Sequence, residues 1–181
     1  MATVSLPRIT KLNALPSSEF FETVNVLFET APPLAGVLYD SRPYSSYEAL
    51  IDQAEACIKG MSKSDRIEVI NAHPRIGAAK TSLSALSYAE QGYTSAPQPS
   101  TASVNTMSED EAVNAVLAEL NTTYEQQFGF KFVVFVAGRP RKEIIPVIEA
   151  RLNNQADQEI ETGLSEMMAI ARDRLKKLAQ E

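Results

Sequence analysis

One stretch decides what this chain can become. Phe128 to Ala137 reads FGFKFVVFVA, an aromatic and β-branched run with the composition of a strand. No other run offers it an obvious partner, and a lone strand cannot satisfy its own amides. The stretch is therefore expected as buried extended backbone or as the entry to a helix, and the core has to be built from helices.

The remaining patterns agree. Ser17 and Ser18, after Pro16, can cap a helix on which Phe20, Val24, Leu27 and Phe28 recur at helical spacing. Ala31-Pro32-Pro33 ends it, because proline cannot continue a helix. A short apolar helix at Leu34–Leu38 is broken by Ser41-Arg42-Pro43. Ser45-Ser46-Tyr47-Glu48 reads as a capping box before Leu50, Ile51, Ala54 and Ile58, with Gly60 as the stop. A new start at Ser62 runs through Ile67 and Ile70 to Asn71-Ala72-His73-Pro74, where Pro74 disfavours helical geometry at His73. Ser82–Gln91 is a further helix closed by Gly92. Ser108-Glu109-Asp110-Glu111 is a second capping box, followed by Val113, Val116, Leu117, Leu120 and Tyr124 on one face. Lys142–Asn153 is helical if Pro146 lies in its first turn. Asp157–Leu178 closes the chain with Ile160, Leu164, Met167, Met168, Ala171 and Leu175 inward. The expectation is an all-α, single-domain helical bundle over residues 1–181, with about seven or eight helices of ordinary length. Residues 1–14 are expected as a loose arm, and 93–107, rich in Ser, Thr, Pro and Ala, as a flexible surface loop.

Composition narrows the chemistry. The chain has 181 residues, 17 Lys and Arg against 23 Asp and Glu, and a net charge of −6. That balance argues against a reader of nucleic-acid phosphates, which needs a clustered basic face. No apolar run approaches the ~18–20 residues that span a bilayer. Cys57 is the only cysteine, so no internal disulfide forms, and it reads as a core residue beside Ala54, Ala56 and Ile58. With His73 the only histidine, no multi-histidine metal site can be built. The seven glycines form no phosphate-binding loop. A site without a cofactor is the simpler expectation.

Three places could carry chemistry. His73 lies where a helix gives way to a turn, and a helix C-terminus favours the protonated imidazole. Ser87, Glu90 and Gln91 share a helix face, offering a hydroxyl, a carboxylate and an amide to a small, polar, nitrogen-rich ligand. Among Arg172, Arg174, Lys176 and Lys177, mostly surface charge near a helix end, at most one faces inward; a buried arginine would clamp a carboxylate or a ureido oxygen.

Asn71-Ala72-His73-Pro74-Arg75-Ile76-Gly77, then Ser87-Tyr88-Ala89-Glu90-Gln91, then Phe128-Gly129-Phe130-Lys131-Phe132-Val133-Val134, closely resemble the OHCU decarboxylase family in content and order. The likeness runs from about residue 15 onward, through Glu143–Asn153 and Ile170–Leu175. It departs in the length of 93–107 and in Arg75-Ile76 after the His-Pro pair. The resemblance implies an all-helical fold, no cofactor, a homodimer, and decarboxylation of 2-oxo-4-hydroxy-4-carboxy-5-ureidoimidazoline (OHCU) to S-allantoin in urate breakdown. It implies His73 as catalytic acid/base and Glu90 as its carboxylate partner, with the two roles exchangeable. It places Pro74, Ser87, Gln91, the backbone near Val134, and Arg174 against the substrate.

The competing readings are a non-catalytic ureide- or purine-binding helical protein that keeps the pocket, a helical interaction domain, and a ureide hydrolase. Joint retention of His73 and Glu90 favours the enzyme. Partners are expected to be a small-molecule ureide and a second copy of the chain, with no nucleic acid and no membrane. The expected compartment is the cytoplasm, with the peroxisome as the alternative.

Overall fold

The computed structural model describes residues 5–78, 83–93 and 109–180. The chain forms two compact units: the chain up to His73 together with Ile160 onward, and Pro74–Glu159 between them. Among the described residues the architecture is helical throughout, apart from one parallel pair of two-residue strands.

In the first unit, β1 (Ser5–Leu6) pairs in parallel with β2 (Ala179–Gln180). Helix α1 (Ile9–Ala14) follows β1, which corrects the loose-arm expectation for residues 5–14. The cause is long-range pairing that no local pattern reveals. Asn13 donates from Nδ2 to the Tyr44 carbonyl (2.8 Å) and accepts the Tyr44 N–H on Oδ1 (2.9 Å), as a strand neighbour would. The Tyr47 hydroxyl donates to the Pro7 carbonyl at 2.7 Å, and Leu6 and Leu12 are fully buried.

Helix α2 (Ser17–Phe28) buries Phe20, Val24, Leu27 and Phe28 as its spacing predicts. Its N-cap is Pro16, with Ser17 inside the helix and no side-chain cap. Glu29 ends it in the left-handed region (φ 50°). Pro32 and Pro33 then open α3 (Pro32–Asp40), where a missing N–H costs nothing, rather than merely closing the helix before. Arg42 knots the following turn: its guanidinium lies 3.5 Å from the Tyr39 ring centroid and donates to the carbonyls of Asn13, Leu15 and Tyr39. Helix α4 (Tyr47–Gly60) is capped by Ser46, not Ser45; the Ser46 hydroxyl accepts the Ala49 N–H at 3.1 Å. Helix α5 (Lys63–Ala72) is capped by Ser62 as expected and ends at His73. Helix α3 packs against α2, α4 and α5. The last helix, α9 (Ala156–Lys177), turns Ile160, Leu164, Met167, Met168, Ala171 and Leu175 inward. Its Gly163 lets Ile70 approach closely enough that a Cβ there would sit 3.4 Å from the Ile70 Cδ1.

In the second unit, α6 (Ala85–Glu90) is shorter than expected, with Ser84 as its cap; Ser82 lies outside the described residues. So do Ser108, the expected cap of α7 (Glu109–Phe128), and residues 94–107 of the expected loop, whose first residue, Tyr93, is buried. Helix α7 buries Leu117, Asn121 and Tyr124, while Val116, expected on the inward face, is 40% exposed. Gly129, at φ 81°, turns the chain out of α7. Residues 131–136 then form neither helix nor paired strand, and Phe130, Phe132, Val133, Val134 and Val136 are buried. The run is buried, and it is not the entry to a helix, the second of the two expectations. Tyr124, Phe128, Phe130 and Phe132 pack edge-on or tilted, with Tyr124 at 4.5, 6.0 and 5.2 Å from the three phenylalanine centroids. Arginines take the place of a strand neighbour. Arg139 donates to the carbonyls of Phe135 and Val136, and Arg151 to that of Val133. A 3-10 turn (Arg141–Ile144) leads into α8 (Ile145–Arg151), with Pro146 in the first turn.

Candidate active site

His73 is the C-cap of α5. Its backbone is extended (φ −69°, ψ 145°), its N–H donates to the Ile70 carbonyl at 3.2 Å, and it is 3% exposed. Pro74 produces this geometry by barring a further helical residue before it.

Arg174 is the one inward-facing cation of its cluster, as expected. It is 2% exposed, donating from Nη2 to Glu29 Oε1 at 3.0 Å and from Nη1 to the Val26 carbonyl at 3.1 Å. Glu29, held in the left-handed region where a non-glycine residue costs ~1–2 kcal/mol, is thereby part of the guanidinium's seat. Arg172 is half-exposed and pairs with Asp52 and Glu55, which holds the Glu55 carboxyl below its ordinary range, with help from Lys59.

Within the second unit, the structure joins α6 to the segment that follows Pro74. Gln91 Oε1 accepts the Gly77 N–H at 2.9 Å, and its Nε2 donates to the Arg75 carbonyl at 3.1 Å. Gln91 thus spends one lone pair and one N–H of its side chain on the backbone of this segment. Ser87 is buried on the same short helix, and Glu90 is half-buried. Pro74 is half-buried and Val134 buried.

Two residues that the sequence did not single out complete this arrangement. Asn121 donates from Nδ2 to the Ile76 carbonyl at 2.9 Å. Arg141, 8% exposed, donates to the Gln91 carbonyl at 2.8 Å, pairs with Asp110 at 3.0 Å and lies 4.1 Å over the Tyr93 ring. Arg75 is on the surface, where Nε and Nη2 grip Glu125 at 2.5 and 2.6 Å. Residues 75–77 are therefore fixed by Gln91, Asn121 and Glu125 together. The only hint in the sequence was Asn121 at i+4 from Leu117, a polar residue on an apolar face.

Among the described residues, no three His, Cys, Asp or Glu side chains are grouped to hold a metal ion. No described helix is long and apolar enough to cross a membrane.

Among the described residues the chain is almost wholly helical, with a histidine capping the end of one helix and a hydroxyl and a carboxylate on another whose C-cap is an amide. The profile of the family described as OHCU decarboxylase matches residues 13–176, and the chain belongs to that family. It is 30% identical over 174 residues to a uric acid degradation bifunctional protein of Bacillus sp. (strain TB-90); the match covers 96% of this chain but 32% of that protein. It is 27% identical over 165 residues to the 2-oxo-4-hydroxy-4-carboxy-5-ureidoimidazoline decarboxylase of Haloferax volcanii, covering 91% of this chain and 92% of that one. A crystal structure of OHCU decarboxylase in the presence of (S)-allantoin superposes with a TM-score of 0.59 at 27% identity, over 81% of this chain and 90% of the other.

Proposed function

We propose that this chain is a carboxy-lyase that converts OHCU to (S)-allantoin in urate degradation. The family match across residues 13–176 carries the reading, supported by the near-full-length Haloferax relative of that name.

The chemistry suits such a chain. Loss of CO2 breaks a C–C bond and leaves its electron pair on carbon, and many enzymes borrow a cofactor to receive it. In OHCU the saturated carbon that bears the carboxylate is bonded directly to the ring C=N carbon, so the pair released with CO2 moves into that C=N and the substrate accepts it itself. A proton then returns to carbon on one face. What the protein must supply is orientation of the carboxylate out of the ring plane, charge stabilisation and a directed proton. In this reading His73 moves the proton and Glu90 holds the ring or ureido N–H groups, or the two exchange roles. Ser87, Gln91, Pro74 and the Val134 backbone position the ring, and Arg174 takes an anionic or ureido oxygen. The same reading carries a homodimer in the cytoplasm, checked by light scattering on the purified protein and by fractionation.

The test is turnover of freshly generated urate-oxidation product, followed by optical activity in a stopped-flow cell. His73→Ala and Glu90→Ala should each lose about a hundredfold or more in rate, as for other acid/base groups. If both variants stay folded and keep near-wild-type turnover, these residues do not carry the reaction. If the wild-type chain gives no excess of one allantoin enantiomer, the substrate assignment fails.

A further inference from the structure

Glu159 is fully buried on the first turn of α9, and three hydrogen-bond donors converge on its carboxylate. Arg151 reaches Glu159 Oε2 with Nε at 2.8 Å and with Nη2 at 2.8 Å. The Tyr124 hydroxyl donates to the same oxygen, and Asn154 Nδ2 to Oε1 at 2.7 Å. Burial and the facing carboxylate push the Tyr124 phenol well above its ordinary range, so it stays a donor. The guanidinium lies 4.5 Å over the Phe132 ring and gives its remaining fork, Nη1, to the Val133 carbonyl at 2.8 Å.

A buried ion pair of this kind is poor value for stability alone, since apolar residues of similar volume often do as well. Its geometry points to another use. The Val133 carbonyl and the Val134 N–H belong to one planar trans peptide, so fixing the first fixes the direction of the second, on the opposite side. The segment has no strand ladder to do this. Among the described residues, nothing accepts a hydrogen bond from the Val134 N–H. A carbonyl that accepts from a guanidinium also polarises its own amide, which makes the N–H a stronger donor.

We infer that Arg151, seated by Glu159 and Tyr124, is a positioning residue that acts through the Val133–Val134 peptide, aiming and strengthening the Val134 N–H as a hydrogen-bond donor to an oxygen of the substrate. This rests on the decarboxylase reading above. What it adds to that reading is Arg151, which holds the peptide from its carbonyl side.

The experiment uses 15N-labelled full-length protein, with (S)-allantoin as the probe, beside the turnover assay. In the wild type, (S)-allantoin should move the Val134 amide proton downfield, and no movement overturns the inference. Arg151→Lys keeps a charge for Glu159 but cannot bridge it to Val133. Arg151→Met combined with Glu159→Gln removes both charges and leaves an acceptor for Tyr124 and Asn154, so no charge is stranded. Both variants should lose the amide shift and at least about tenfold in kcat/KM, part of the ~100–1,000-fold that one missing transition-state donor costs. Their circular dichroism should match the wild type. A folded variant that keeps both the shift and the rate overturns the inference. Failure of the wild type to turn over OHCU would instead strike the functional reading, and the wild-type amide shift would still judge the peptide geometry.

Discussion

Gln91 separates two roles that a site residue can play, and its substitution can be worked out from the contacts. Its side-chain amide closes two hydrogen bonds onto the backbone of residues 75 and 77 and is 7% exposed. Each such bond contributes ~1 kcal/mol net, and each stranded backbone group adds part of a ~1–3 kcal/mol desolvation loss. Gln91→Ala should therefore cost about 2–3 kcal/mol, which at this chain length lowers Tm by roughly 5–10 °C. A side chain that served only to bind ligand would cost the ligand-free protein little. Gln91→Glu sharpens the comparison. Its protonated acid has the same pattern as the amide: C=O toward the Gly77 N–H, O–H toward the Arg75 carbonyl. Its carboxylate turns two acceptors on each other. The folded-state pKa of the introduced carboxyl is thus raised, so its contribution is complete below the unfolded value of ~4.3 and is lost as pH rises through the folded one. Differential scanning calorimetry of the three proteins between pH 7 and 5 should show the Gln91→Glu deficit shrinking on acidification, while the Gln91→Ala deficit stays level. An alanine variant melting within about 1 °C of wild type, or a glutamate variant whose deficit ignores pH, would refute the clamp.

Gly77→Ala should destabilise by about 1–2 kcal/mol in urea melts, because φ is +73° and the new methyl would meet Leu117 Cβ at 3.3 Å. Glu55, held below its ordinary 4.5 by Arg172 and Lys59, contributes stability above pH 4.5 that fades as pH falls through the lowered value; Glu55→Gln should flatten the acid limb of a stability–pH curve. Burial pushes the Tyr47 phenol from 10 up to about 12, so its stabilising effect is intact below pH 10 and lost between 10 and 12. Absorbance at the phenolate band should show Tyr47 ionising only as the circular dichroism signal collapses, and Tyr47→Phe, which strands the Pro7 carbonyl, should cost about 1 kcal/mol.

What the sequence makes legible here is whatever depends on neighbours one helical turn away. The buried faces of α2, α4 and α9, the capping Ser62 and the end of α5 at His73 all follow from spacing and from proline. The shortfalls share another cause. Residues 5–14 looked loose because what orders them lies 31 positions off, at Tyr44. The Phe128–Ala137 run looked like a strand without a partner because its partners are side chains. Arg42, Arg139, Arg141, Arg151 and Arg174 each donate to main-chain carbonyls where a helix has ended or no ladder exists. A nearly sheetless chain must find donors for its non-helical carbonyls, and a guanidinium offers five in a rigid plane. In a charge count, such arginines are indistinguishable from surface cations. Spacing alone groups Ser87, Glu90 and Gln91 as neighbours on one short helix and its C-cap, but gives no sign of Arg151, whose contact is with a peptide 18 residues away. Where the backbone around a site is irregular, the arginines therefore carry structural information that apolar periodicity omits, and they are the residues whose replacement by lysine should be least neutral.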